Sequence, residues 1–284
     1  MKTLNVLFLL TASLLMVLSA NAADNKVDYG SRFRLDAAAG NNADMLKLLN
    51  RKKISVDTSN SFGQTALMMA VENGKLSTVA LLLNRGADVN HRTVAGSSAL
   101  TFAAENGNSG IMSMLLERGA QIHARTRSGW DSLMIASQYG LEKIVEQLLF
   151  KGANPRAVDR NNNTALIIAA EHGFPRVVRL LVKYGGEVDA RDRDHATALI
   201  NVAAKGNVAV VRTLLNLHAK VNAQDVDGTT ALMEAVTGHH NEVVSLLLAY
   251  GASPAIKDND GNSAISMAKK SGDKKMLELL LKNR

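Results

Sequence analysis

Cysteine is absent from the chain, which rules out disulfides, thiol catalysis, a thiolate metal centre and the lipidated cysteine of a bacterial lipoprotein. Catalytic signatures are missing too. No G-x-S-x-G, G-x-x-x-x-G-K-[ST] or H-E-x-x-H occurs, so the familiar nucleophile, phosphate-cradle and zinc arrangements have nothing to be built from. The seven histidines are scattered apart from His239 and His240. Adjacent residues on a helix point in different directions, unlike the i, i+4 pairs that hold a metal. The stretch DNDG at 258–261 imitates part of a calcium loop, but Ile256 stands at the first ligand position, where an oxygen is needed. No catalytic residue, cofactor or metal is expected. Aromatic residues make up only 4% of the chain, so those placed on a surface are informative.

Hydrophobic residues reach 46% of the 284 positions, enough to bury a real core. The first 22 residues carry one charge, Lys2, ahead of an apolar run from Leu4 to Leu18. Ala20-Asn21-Ala22 then supplies small residues where a signal peptidase reads, the pattern of a secretory leader cleaved after Ala22. A retained anchor is disfavoured because the run is shorter than the ~20 residues that span a bilayer. The expected product, residues 23–284, is a single periplasmic or secreted domain. The formal charge is +7, of which Lys2 contributes one. Charge alone leaves two readings open, solubility or attraction to an acidic partner.

A short phrase repeats along the chain: QTALMMAVENG, SSALTFAAENG, NTALIIAAEHG. The residues just before its apolar run are Thr65, Ser98, Asp131, Thr164, Thr197, Thr230 and Ser263, each 33 positions from the last. All seven have a short side-chain oxygen able to cap the free N–H groups of a first helical turn. Nine residues later come Gly74, Gly107, Gly140, Gly173, Gly206 and Gly272, with His239 as the exception. Glycine there ends a helix cheaply at positive φ, while His239 must tolerate that conformation or be relieved by Gly238. A second apolar segment follows, with Leu82, Leu115, Leu148, Leu181, Leu214, Leu247 and Leu280 in register. Val79, Val145, Val178, Val211 and Val244 precede them by three, which describes one face of a second helix. Gly-Ala pairs such as Gly86-Ala87 and Gly152-Ala153 break this helix before a polar hairpin loop.

With G-A-D-V-N at Gly86 to Asn90, this period and these phrases closely resemble the ankyrin repeat, and the match covers essentially the whole of residues 23–284. The usual T-P-L-H becomes Thr-Ala-Leu followed by Met, Ile or Thr, so the family's histidine hydrogen bond cannot be carried over. The resemblance implies an all-α repeat solenoid of helix-turn-helix units joined by β-hairpin loops. Counting gives an N-terminal cap repeat at 29–61, six full repeats at 62–259 and a C-terminal cap repeat at 260–284. Arg34 in place of the leucine seen at Leu67, and Lys269 in place of Ala104, Ala170 or Val236, suggest polar outer faces on the two caps.

Because the period has no insertions, equivalent positions form columns along the surface. One column carries Arg127, Arg160 and Arg193 at the hairpin tips, with Arg92, Arg125, Arg191 and Lys257 in the column two residues earlier and Asp159, Asp192, Asp225 and Asp258 interleaved. It reads either as a guanidinium ladder or as paired, solvated tips. A second column ends the first helices with Glu72, Glu105, Gln138 and Glu171, beside Tyr139 and His172. Among the aromatics, Phe62 sits at a tip, and Trp130 follows Gly129 where other units are mostly polar. Trp130 reads either as an exposed anchor or as a ring folded back on its neighbour.

In ankyrin-like proteins the inner-helix ends and hairpin tips form a concave recognition face. The resemblance therefore implies a non-catalytic protein-binding module, scaffold or inhibitor, acting as a monomer on an unidentified protein partner. The residues expected to bind are Phe62, Arg127, Trp130, Tyr139, Arg160, His172, Arg193, Glu72, Glu105 and Glu171. The alternative is an envelope-surface binder holding anionic lipid or polysaccharide through the arginine ladder. Attachment to a membrane surface is the less preferred reading, and nucleic acid is not expected as a partner.

Overall fold

The computed structural model describes residues 28–52 and 54–282, so the leader read at 1–22 and its cleavage site lie outside the described residues. Among the described residues there are sixteen helices, two to each of eight units. Unit four is typical, with a first helix at Ser132–Gln138 and a second at Glu142–Phe150. Isolated antiparallel bridges such as Val158 to Thr164 and Arg191 to Thr197 close the hairpins between units.

Local chemistry sets each helix. The side-chain oxygens of Thr65, Ser98, Asp131, Thr164, Thr197, Thr230 and Ser263 each accept the backbone N–H three residues on. A cap of this kind contributes about 1 kcal/mol, which matters for helices of seven or eight residues that are not stable alone. The terminating glycines lie at φ between 66° and 82°. His239 adopts φ 56° itself, while Gly238 stays at −78°, so the glycine beside it gives no relief. The His239 ring instead rests 3.2 Å from Asp273 of the next unit.

Stacking supplies the stability that single helices lack. The seven column leucines from Leu82 to Leu280 are fully buried, as are Val79, Val145, Val178, Val211 and Val244. Met68, Met134 and Met233 share one buried column with Ile167 and Ile200. In most units successive first helices pack more closely than successive second helices. On these first helices Ala70, Ala103, Ala136, Ala169, Ala235 and Ala268 have no exposed surface.

The two residues read as cap markers differ in the structure. Lys269 is exposed, but Arg34 is buried, with its guanidinium donating to Ser31 Oγ at 3.0 Å. Burial lowers the Arg34 pKa, and the nearby Asp28 carboxylate partly opposes that shift. Arg34 therefore works as a packed residue held by local polar partners and does not form a solvated outer face.

Among the described residues two buried polar atoms have no partner, Asn241 Oδ1 and the hydroxyl of Ser137, whose side chain is fully buried. Equivalent positions hold Ala104, Ala170 and Ala203. An unsatisfied hydroxyl costs about 1 kcal/mol or more. Ser137→Ala is therefore expected to raise the unfolding free energy by about 1 kcal/mol, read as a higher urea midpoint with unchanged slope.

Candidate functional site

The hairpin tips are joined to one another through the backbone. Val94 N–H donates to the Phe62 carbonyl at 2.9 Å, Arg127 to Ala95 at 2.8 Å, Arg160 to Ser128 at 3.3 Å and Arg193 to Asn161 at 2.8 Å. The series continues from Val226 to Asp194 at 3.0 Å and from Asn259 to Asp227 at 2.9 Å. Close approach is built into the turn residues. Gly129 lies at φ 86°, and a Cβ there would meet the Arg160 nitrogen at 3.1 Å. The tips thus form a continuous edge in which each residue's height is fixed by its neighbour one unit away.

Side chains on this edge divide into two kinds. Asp159 Oδ1 accepts the N–H groups of Asn161 at 2.8 Å and Asn163 at 2.9 Å, and its Oδ2 takes the Trp130 indole N–H at 3.0 Å. Asp192 and Asp225 accept two backbone N–H groups of their own hairpins, and Asp258 accepts one. The earlier arginine column is also occupied. Arg92 donates to the Gly96 carbonyl, Arg125 to Val158, and Arg191 to His195 and Gln224. These arginines clamp hairpins, which corrects the reading of them as part of a free ladder.

Arg127, Arg160 and Arg193 are different. All three are exposed, and among the described residues none makes an ion pair or a side-chain hydrogen bond. The interleaved aspartates are turned into their own turns and do not neutralise them.

The acidic strip has its own geometry. The Tyr139 hydroxyl donates to Glu105 Oε1 at 3.2 Å, and its pKa is raised by burial and then by the Glu105 charge. Glu72 is raised first by loss of hydration among its neighbours and second by Glu105, although its outer end still meets solvent. Glu171 Oε1 accepts from Asn201 at 3.1 Å, and Lys205 Nζ lies 3.7 Å from Glu171 Oε2. His172 is exposed, with Nδ1 held 2.9 Å from the Ile168 carbonyl of its own helix, so its ring does not join the Glu171–Lys205 pair.

The raised Glu72 pKa has a sign. A carboxyl that binds its proton more readily when folded stabilises the fold below its ordinary value of 4.5 and loses that contribution as pH rises through the folded value. Glu72→Gln is expected to flatten this part of the curve of melting temperature against pH, scanned from about pH 4 to 7.

Trp130 is half-buried and packs against the core while bracing unit four to the Asp159 turn. Of the two readings open for it, the folded-back ring describes most of its surface. The structure also gathers a groove that the sequence did not reveal. Phe62, 70% exposed, lines a depression of about 560 Å³ together with Val94, Phe102 and Arg127. Val94 stands where the next three units carry arginine, and an apolar residue at an exposed tip was the available signal. Phe62 and Arg127 are thus brought together, as are Tyr139 and Glu105, whereas Arg160 and Arg193 stand on separate tips.

The family model described as "Ankyrin repeats (3 copies)" matches residues 35–126, 133–225 and 217–284. The chain belongs to the ankyrin repeat family. Comparison with curated proteins gives no match. Ankyrin repeats generally mediate protein–protein interaction and are typically non-catalytic. In this ankyrin repeat chain, among the described residues, no cluster of three or more His, Asp or Glu is placed to hold a metal ion. No described helix is long and apolar enough to cross a membrane.

Proposed function

We propose that this ankyrin repeat chain is an exported, non-catalytic binding module that holds a folded protein along its first-helix side and hairpin tips. The observation carrying this reading is the run of three exposed, unpaired guanidiniums, Arg127, Arg160 and Arg193, on tips fixed to one another by backbone hydrogen bonds. Rigid presentation lowers the ordering cost of binding, and unpaired charge steers an oppositely charged partner. Phe62 and Tyr139, at 70% and 48% exposure, are the aromatic anchors with most surface to offer. Trp130 is half-buried and contributes its remaining exposed surface, and Glu72, Glu105, Glu171 and His172 belong to the neighbouring strip. The proposed location is the periplasm or the exterior, reached by cleavage after Ala22, with the mature chain acting as a monomer.

The same arginines support the second reading, attachment to anionic lipid or polysaccharide. Salt separates the two, because purely charge-held attachment collapses as the Debye length falls to about 8 Å near 0.15 M salt, while aromatic anchors persist. In retention assays on envelope extract, the wild-type chain is expected to hold a protein at moderate salt that Phe62→Ala and Tyr139→Ala release. Retention indifferent to both aromatic variants but lost with salt would favour the lipid or polysaccharide reading.

A further inference from the structure

The tip edge has an order along its length that binding in general does not require. It begins apolar, with Phe62 and Val94 beside Phe102. It is basic at Arg127 and Arg160, carries both signs at the neighbouring Arg193 and Asp194, and is acidic at Asp227 and Asp260; all three aspartates are exposed and their carboxylates have no partner among the described residues. Each step along the edge is one unit, about 10 Å by helix packing. A peptide extended as a polyproline II helix advances about 3.1 Å per residue with three residues per turn, so three residues cover about one unit and every third side chain lies on the same face.

We infer that this edge takes an extended acidic segment of the partner protein, with a carboxylate at every third residue facing Arg127, Arg160 and Arg193 in turn. A bulky apolar side chain three residues beyond the Arg127 carboxylate fills the groove between Phe62 and Phe102. At the other end the acidic run stops, and a basic residue three positions past the Arg193 carboxylate meets Asp227. The inference rests on the protein-binding reading and names the chemistry that its partner presents. Charge complementarity selects this occupant: an anionic surface without register gains from the three arginines but is repelled by the aspartates that follow.

The test uses the chain as purified from expressing cells and labelled synthetic peptides, measured by fluorescence anisotropy at 0.15 M salt. The probe is Phe-Ser-Ser-Glu-Ser-Ser-Glu-Ser-Ser-Glu in both chain directions, against a peptide of the same composition with the three glutamates adjacent. The spaced peptide in its better direction is expected to bind about tenfold more tightly than the block peptide, and Arg160→Glu to remove most of that advantage. Adding Ser-Ser-Lys at the acidic end should tighten binding, whereas Ser-Ser-Glu should weaken it. Attraction to a generally basic protein predicts the reverse for those two extensions.

Equal affinity for spaced and block peptides, tighter binding of the glutamate extension, or no peptide binding at all would overturn the inference. A preference for vesicles of anionic lipid over every peptide would overturn it too. Loss of the peptide result while an envelope protein is still retained through Phe62 and Tyr139 leaves the protein-binding reading standing, so the two failures are distinguishable.

Discussion

Trp130→Ala is expected to lower the unfolding free energy by about 2 to 3 kcal/mol, less than the ~3–5 kcal/mol of a fully buried aromatic because the ring is only half-buried. Two losses combine. The ring leaves its packing against the core, and Asp159 Oδ2 loses the indole N–H at 3.0 Å. Asp159 keeps its backbone donors from Asn161 and Asn163, so the carboxylate is not stranded. Trp130→Phe separates the terms, since it retains most of the ring and should cost about 1 kcal/mol, the value of the hydrogen bond. Urea unfolding followed by far-UV circular dichroism measures both. The sequence alone allowed a different expectation, in which removing an exposed anchor spared folding and weakened partner capture by about 2 kcal/mol. An unchanged midpoint for Trp130→Ala would return the residue to that role.

Leu148→Ala has a larger consequence and a different distribution. Leu148 is fully buried in the second helix of unit four, and truncating a buried leucine costs about 2–5 kcal/mol. In a stack where each unit touches only its neighbours, that loss falls on the interfaces flanking unit four. The expected result is amide exchange that speeds up first in units three to five, with the terminal units protected longer, and a denaturation curve that splits. A uniform rise in exchange over all eight units would mean that the chain behaves as one globule and that nearest-neighbour stacking does not describe it.

Much of this molecule was readable before any coordinates. The cap residues Thr65 to Ser263 declare their role because capping depends on a side-chain oxygen and the next three residues only. The leucine and valine columns declare theirs because burial in a repeat follows the period. Where the sequence offered two options, the structure chose. His239 keeps the positive φ although Gly238 is adjacent. Arg34 is buried at the position where a solvated cap was expected.

The candidate surface was legible only in outline. Two arginine columns two residues apart looked alike in the one-dimensional pattern, yet Arg125 and Arg191 reach carbonyls one unit on while Arg127 and Arg193 reach nothing. The hairpin-local acceptors of Arg92 and Arg191 lie four residues on, but no local rule finds the Val158 and Gln224 carbonyls, each 33 residues from its arginine. The same holds for Asp159, whose charge looked free to pair with an arginine but is taken by its own turn and by Trp130. The groove under Phe62 needed two neighbouring units side by side before Val94, Phe102 and Arg127 met it.

The sequence by itself determined the period, the helix ends, the buried columns and the family, since each depends on residues a few positions apart or on strict repetition. Only the tertiary structure decided which charges are spent on holding hairpins together and which remain for a partner. The physical reason is that hydrogen-bond satisfaction is a competition among groups brought close by stacking, and its winners are fixed by distances between units that a linear order of residues does not contain.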